Sequence, residues 1–286
     1  MKSTQVNTIK ELADKYDLFL VDLWGVIHDG EKLYPGVIDC LKYLKQQQKR
    51  VLFISNAPKR AFLAKQMLDK LNLTVNLYYG LITSGEVTYD YIVSDNHKLG
   101  MNYFIINEQE KDLLDGSGYK NVSDIKEADF VLAIGFKDHH STLEEITPIL
   151  HSALERNLPL ICANPDLIII DQNDIKWLCA GVIAKKYEEL GGNVTYFGKP
   201  YSHIYEKAFA ITEHPDKNQI AIIGDNINTD IYGGNLQNID SYLVLSGIHA
   251  KELNNKNKGL STNNNFEIFF NKHNIYPTGV LESFSI

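Results

Sequence analysis

The chain has 286 residues, 44% of them apolar and 22% charged, and carries a formal net charge of −8. That is an ordinary soluble composition, long enough for two domains, and its acidic balance argues against general binding of nucleic acid or an anionic membrane. The opening MKSTQVNTIKELADKYD is polar and helical in character, no apolar run reaches membrane length, and Cys40, Cys162 and Cys179 have no metal-like spacing. These features lead to the expectation of a cytoplasmic protein with reduced, buried thiols, no membrane anchor and no nucleic-acid partner.

In chain order, short apolar runs alternate with amphipathic stretches. DLFLVD reads as a strand and GVIDCLKYLKQQQ as a helix; RVLFIS is a strand and KRAFLAKQMLDKL a helix. Further on, YFIIN, FVLAIGF and LPLICAN read as strands. STLEEITPILHSALERN reads as a helix whose Ser141 and Glu144 have capping-box spacing. NVTYFG, IAIIGD and SYLVLSG are the last strong strands, with helices near residues 201–212 and 229–235 between them. The Asn-rich stretch at residues 254–265 reads as a solvated loop before a last short helix and strand. Apolar runs without polar alternation suit strands covered on both faces. The alternation itself predicts an α/β fold built on a doubly wound parallel sheet.

Four motifs fall at predicted strand ends. Asp22 ends the first strand of the series, Ser55 the second, Lys199 follows NVTYFG, and Asp225 ends IAIIGD with Asp230 five residues on. Ligands of open parallel sheets bind at the carboxyl ends of the strands. A carboxylate nucleophile, a hydroxyl and an ammonium suit phosphoryl transfer through an aspartyl intermediate. The carboxylate attacks phosphorus, and the hydroxyl and amine hold the charged oxygens. Acidic groups beside a dianion call for a hard cation, which makes Mg2+ the expected cofactor with Asp22 and Asp225 as ligands. Asp230 would sit one layer out, orienting Lys199 or a water.

The order of these motifs resembles the haloacid dehalogenase superfamily. The finer resemblance is to its subclass IIA, the NagD-like and 4-nitrophenylphosphatase-like group. It is carried by Asp22–Val26, Ser55–Asn56, Asn164–Asp166, Gly198–Pro200 and Gly224–Asp230, with ITSGE at Ile82 to Glu86 as a further match. The resemblance implies a core from residues 1–86 and 194–286 and an inserted α/β class II cap at 87–193. The 144-residue separation of Ser55 and Lys199 leaves room for such an insertion. It implies a phosphatase acting on a small phosphorylated metabolite, of the sugar-phosphate or nucleotide class, and a homodimer formed through the cap. It also implies that the Trp24 carbonyl joins the metal ligands and that Trp24, Gly25, Asn56 and Asn226 contact substrate.

One position departs from the pattern. The family places a second Asp two residues after the nucleophile, where this chain has Trp24. A backbone carbonyl at Trp24 can still bind metal, but an indole N–H is neither acid nor base at working pH. The expected handicap is the ~10²–10⁴-fold that general acid–base groups contribute. His28 is a candidate replacement proton donor; HDG at residues 28–30 also reads as a plain turn with a capping Asp29. Trp24 reads equally as an apolar anchor and as an aromatic wall against substrate. Dehalogenases of the superfamily carry an aromatic residue at this position, which keeps two alternatives open: a carbon–halogen hydrolase and a catalytically weak phosphate or metabolite binder. NPD at residues 164–166 reads as a shaping loop, residues 171–174 as a weak substrate-contact candidate. His139 and His140 read as loop residues rather than ligands, and His203 as lying near a helix start.

Overall fold

Leu18–Val21 and Ile220–Gly224 are buried along their whole length and lie side by side as parallel strands, although some 200 residues separate them. The computed structural model describes residues 6–94, 99–106, 113–171, 173, 175–253 and 262–286. It divides into two compact units, one drawn from Met1–Ser55, Lys65–Ile82 and Tyr205–Ile286, the other from Asn56–Ala64 and Thr83–Ile204. Among the described residues no helix is long and apolar enough to cross a membrane.

The first unit is built on seven strands: β1 (Val6–Asn7), β2 (Leu18–Val21), β3 (Arg50–Ser55), β4 (Gly80–Thr83), β12 (Ile220–Gly224), β13 (Asp240–Val244) and β14 (Gly279–Leu281). Their order is β1-β14-β13-β12-β2-β3-β4. Every pairing from β1 across to β3 is parallel. Helix α2 (Val37–Gln46) buries Val37, Cys40, Leu41 and Leu44, the spacing expected of a helix lying on a sheet. Its side chains join Phe19, Val21, Phe53 and Ile223 in one core. Burying side chains of this size contributes roughly 1.5–3 kcal/mol each.

The second unit has its own five-stranded parallel sheet: β5 (Asn102–Ile106), β6 (Lys120–Asn121), β7 (Phe130–Ala133), β8 (Leu160–Cys162) and β11 (Val194–Tyr196), in the order β11-β8-β7-β5-β6. An antiparallel hairpin, β9 (Ile168–Ile170) with β10 (Lys176–Leu178), stands apart from it. The strand before Lys199 belongs here. β11 pairs with β8 and not with the seven-stranded sheet, so it lies with the second unit, which runs through Ile204, and not with Tyr205–Ile286. The expectation that all four motifs ride on one sheet edge therefore holds for Asp22, Ser55 and Asp225 and fails for Lys199. A short half-buried strand such as Val-Thr-Tyr carries no mark of which sheet it will join.

Two smaller expectations also shift. The capping box of helix α5 (Leu143–Glu155) is formed one residue later, with the Thr142 amide donating to Glu145 Oε2 at 3.1 Å. Ser141 instead donates through its amide and hydroxyl to Asp138 Oδ1. Of the Asn-rich stretch, residues 254–261 lie outside the described residues, and helix α10 begins at Thr262 rather than after residue 265. Cys40, Cys162 and Cys179 are free thiols and buried; burial pushes the Cys162 thiol up to about 12, so it stays protonated at neutral pH.

At the amino end of β13, Asp240 accepts hydrogen bonds from Lys15 Nζ (2.8 Å), the Tyr16 hydroxyl (2.5 Å) and the Thr278 hydroxyl (3.0 Å). Partial burial alone would raise its carboxyl. The bonds from Lys15, Tyr16 and Thr278 outweigh that and hold it below the usual carboxylate range. A depressed folded-state value means stability that is present above the unfolded value and lost as pH falls through the folded one. Lys15 is more than half exposed, so screening leaves about 1 kcal/mol of the bonds' nominal worth. Asp240→Asn is expected to lower the melting temperature by roughly 2–4 °C at pH 7 and to converge on the parent as pH falls below the usual carboxylate range. Thermal scans across that range check it, and a deficit constant with pH would refute it.

Candidate active site

Asp22 continues the β2 ladder by one residue. Its amide donates to the Ile223 carbonyl (2.9 Å), which fixes the carboxylate at the carboxyl end of the sheet. The chain then folds back tightly, with Ile27 and His28 amides both donating to the Leu23 carbonyl and the Gly25 amide to the His28 carbonyl. Gly25 has φ +84°, and a Cβ there would lie 2.0 Å from Asp225 Oδ2. Only glycine allows the turn and the close approach together. Asp225 ends β12, and its Oδ2 accepts the Ile248 amide at 2.7 Å.

Asp230 sits in a wide helical turn, Ile227–Ile231, and is fully buried. Its Oδ2 accepts the Asn226 amide at 3.2 Å, while Asn226 Oδ1 accepts the Asn228 amide (2.9 Å) and caps the turn. Asp22, Asp225 and Asp230 each turn one carboxylate oxygen to within 4.8 Å of the others, and all three residues are buried. Three buried carboxylates at that spacing repel strongly unless a cation lies among them. The all-oxygen donor set suits a hard divalent ion such as Mg2+ or Ca2+. Ser55, which ends β3, is likewise buried. The pairing of Val21 with Phe53 puts Asp22 and Ser55 on neighbouring strand ends.

Beyond Asp22, the Trp24 indole lies over Gly30, where a Cβ would meet it at 2.7 Å. The His28 ring meets the indole edge-on, centroids 5.8 Å apart. His28 is almost fully buried, and its Nδ1 accepts the Gly30 amide at 3.1 Å. Asp29 Oδ1 caps the same turn by accepting the Glu31 and Lys32 amides, both at 3.0 Å.

In the second unit Lys199 is buried, and its main chain is bonded on both sides to the Asn56 side chain. Asp166 also bonds to Asn56 and closes its own loop, its amide donating to Asn164 Oδ1 at 3.0 Å. His203 lies in the first turn of helix α7 (Ser202–Ile211). The rings of His139 and His140 lie 3.8 Å apart, tilted at 43° to each other, with Trp177 beyond His139. Of the stretch 171–174, Gln172 and Asp174 lie outside the described residues; Asp171 accepts the Trp177 indole N–H at 3.2 Å.

Sequence reasoning missed two functional contacts. The Ile248 amide that holds Asp225 is a main-chain donor in the loop SGIHA, and no side chain signals it. His249, next to it, accepts the Ile227 amide at 3.3 Å through Nε2. Burial and the neighbouring His273 push His249 down to about 4, which keeps that nitrogen free to accept.

Residues 19–120 match the haloacid dehalogenase-like hydrolase family, and residues 196–263 match a second family described as HAD-hydrolase-like. The chain belongs to the haloacid dehalogenase superfamily. A haloacid dehalogenase-like hydrolase from Brucella suis shares its fold with a TM-score of 0.82 and 28% identity, covering 98% of this chain and 99% of that one. An acid sugar phosphatase of Staphylococcus epidermidis is 26% identical over 238 residues, 83% of this chain and 89% of its own length. A 4-nitrophenylphosphatase of Schizosaccharomyces pombe is 23% identical over 270 residues, 85% and 88% of the two chains. Such relatives fit subclass IIA of the superfamily, as the motifs led one to expect.

Proposed function

We propose that this haloacid dehalogenase-superfamily protein is a phosphoric monoester hydrolase of the subclass IIA type, acting on a small phosphorylated metabolite of the sugar-phosphate or nucleotide class. The observation that carries the reading is the buried convergence of Asp22 and Asp225, at adjoining strand ends, with Asp230 from the turn that follows β12. The names of the relatives, acid sugar phosphatase and 4-nitrophenylphosphatase, support the substrate class.

Asp22 is the proposed nucleophile. One of its carboxylate oxygens forms a bond to phosphorus, the ester P–O bond breaks, and the substrate oxygen leaves with a proton taken from solvent water. Water then attacks the aspartyl phosphate, releases phosphate and restores the carboxylate. Ser55 donates to a phosphoryl oxygen from the strand end beside Asp22. Lys199 is assigned a second phosphoryl oxygen from its motif. Mg2+, held by Asp22, Asp225 and the Trp24 carbonyl with Asp230 beside them, would supply positive charge against the phosphate dianion. The five-stranded unit is the proposed cap, selecting substrate and excluding water.

A panel of phosphomonoesters, 4-nitrophenyl phosphate and 2-haloacids, each assayed with Mg2+ and with chelator, tests the reading. Metal-dependent phosphate release is the expected result. Halide release without metal would replace it with carbon–halogen hydrolysis. Tight vanadate binding with no turnover of any ester would replace it with a binding protein.

A further inference from the structure

Asn56 stands directly after the proposed phosphate-binding Ser55, yet its side chain turns to other parts of the chain. Its Oδ1 accepts the Lys199 amide at 2.7 Å. Its Nδ2 donates to the Lys199 carbonyl at 3.0 Å and to Asp166 Oδ1 at 3.0 Å. A primary amide offers two donors and an acceptor oxygen, and here both donors and the oxygen are engaged. On Lys199 the pattern copies the two-bond exchange of a hydrogen-bonded pair in a β-ladder, made by a side chain instead of a strand.

The surroundings leave little freedom. Asn56 and Lys199 are both buried. Gly198 has φ +110°, and a Cβ there would lie 2.6 Å from Asn56 Oδ1 and 2.9 Å from Pro165, so a side chain would push the amide off its partner. Asp166 is fixed in turn, its carbonyl accepting the Gly181 amide at 3.2 Å. The residue after Asn56 is tied as well, the Ala57 carbonyl accepting the Gly85 amide (3.2 Å) and the Ser84 hydroxyl (3.0 Å). One carboxamide therefore joins three motifs far apart in sequence: Ser55–Asn56, Asn164–Asp166 and Gly198–Pro200.

We propose that Asn56 is a positioning residue for Lys199, clamping the lysine main chain on both sides and bracing it against Asp166, and not a substrate contact. The inference rests on the reading that Lys199 meets the phosphoryl group. A lysine ammonium swings on a long flexible stem, so its reach is set by where its Cα is held. A displacement of 1 Å in a reacting group can cost on the order of 10²-fold in rate.

A double-mutant cycle tests it, with Asn56→Ala, Lys199→Ala and the double variant of the full chain. The readouts are kcat on 4-nitrophenyl phosphate and the dissociation constant for vanadate, with thermal unfolding followed in all four proteins. Asn56→Ala in the parent background is expected to lower kcat and weaken vanadate on the order of 10²-fold. In the Lys199→Ala background it should change both by less than about 3-fold, because the group it positions is gone. Equal losses in both backgrounds would mean that Asn56 touches substrate or acts only on stability, and would overturn the proposal. If Asn56→Ala does not fold, Asn56→Asp runs the same cycle, keeping the acceptor for the Lys199 amide while removing both donors. Should Lys199→Ala leave turnover and vanadate affinity unchanged, the reading of Lys199 itself falls. That outcome is separate from a failure of non-additivity.

Discussion

Asp22→Asn is expected to lower phosphomonoester turnover by roughly 10⁴-fold or more while the protein stays folded. The amide is isosteric with the carboxylate, so the main-chain bond from Asp22 to Ile223 is untouched. It has no negative oxygen to attack phosphorus, and a side-chain amide does not form the acyl phosphate on which the two-step path depends. The electrostatic consequence has the opposite sign. Asp22, Asp225 and Asp230 hold their charges within 4.8 Å of one another in a buried place, and removing one charge relieves repulsion in the metal-free protein. In chelator, therefore, Asp22→Asn should melt at or above the parent temperature, and its Mg2+-induced rise in melting temperature should shrink. Steady-state assays and thermal scans with and without Mg2+ check both halves. An inactive variant that melts well below the parent in chelator would show that Asp22 acts through structure.

Trp24→Asp is expected to raise kcat by about 10²-fold on esters with poor leaving groups, at the lower end of what a general acid–base group contributes. The gain on 4-nitrophenyl phosphate should be much smaller, because nitrophenolate departs without a proton. The contrast between leaving groups is the diagnostic, since a general improvement in binding would move both substrates alike. The substitution has a cost. The indole covers Gly30 and meets the His28 ring, and removing it exposes that turn, so a drop of a few degrees in melting temperature should accompany the gain. If Trp24→Asp leaves poor leaving groups no faster, the missing carboxylate is not what limits this enzyme.

How much of this was legible in the sequence follows from where each signal resides. Asp22, Ser55 and Asp225 could be placed because each ends a fully apolar run, and such runs become neighbouring buried strands. Lys199 also follows an apolar run, but whether β11 joins the first or the second sheet depends on contacts far along the chain. The cap of α5 moved from Ser141 to Thr142 because both pairs, Ser141–Glu144 and Thr142–Glu145, have capping spacing, and Asp138 claims Ser141. The turn at residues 227–231, which a one-residue-at-a-time reading does not announce, brings an oxygen of Asp230 within 4.8 Å of those of Asp22 and Asp225. The clamp of Asn56 on Lys199 spans 143 positions, and no local pattern announces it.

The seating of β14 between β1 and β13 has a consequence for how the protein is made. A ribosome releases the amino-terminal strands first, and β2 can pair early with β3, but its other edge must wait for β12, some 200 residues later, and β1 for residues 280–281. The five-stranded sheet needs nothing beyond β11, which ends at Tyr196. The inserted unit can therefore close while its host is still an open scaffold on the ribosome, and the host sheet is completed by the last strand to emerge.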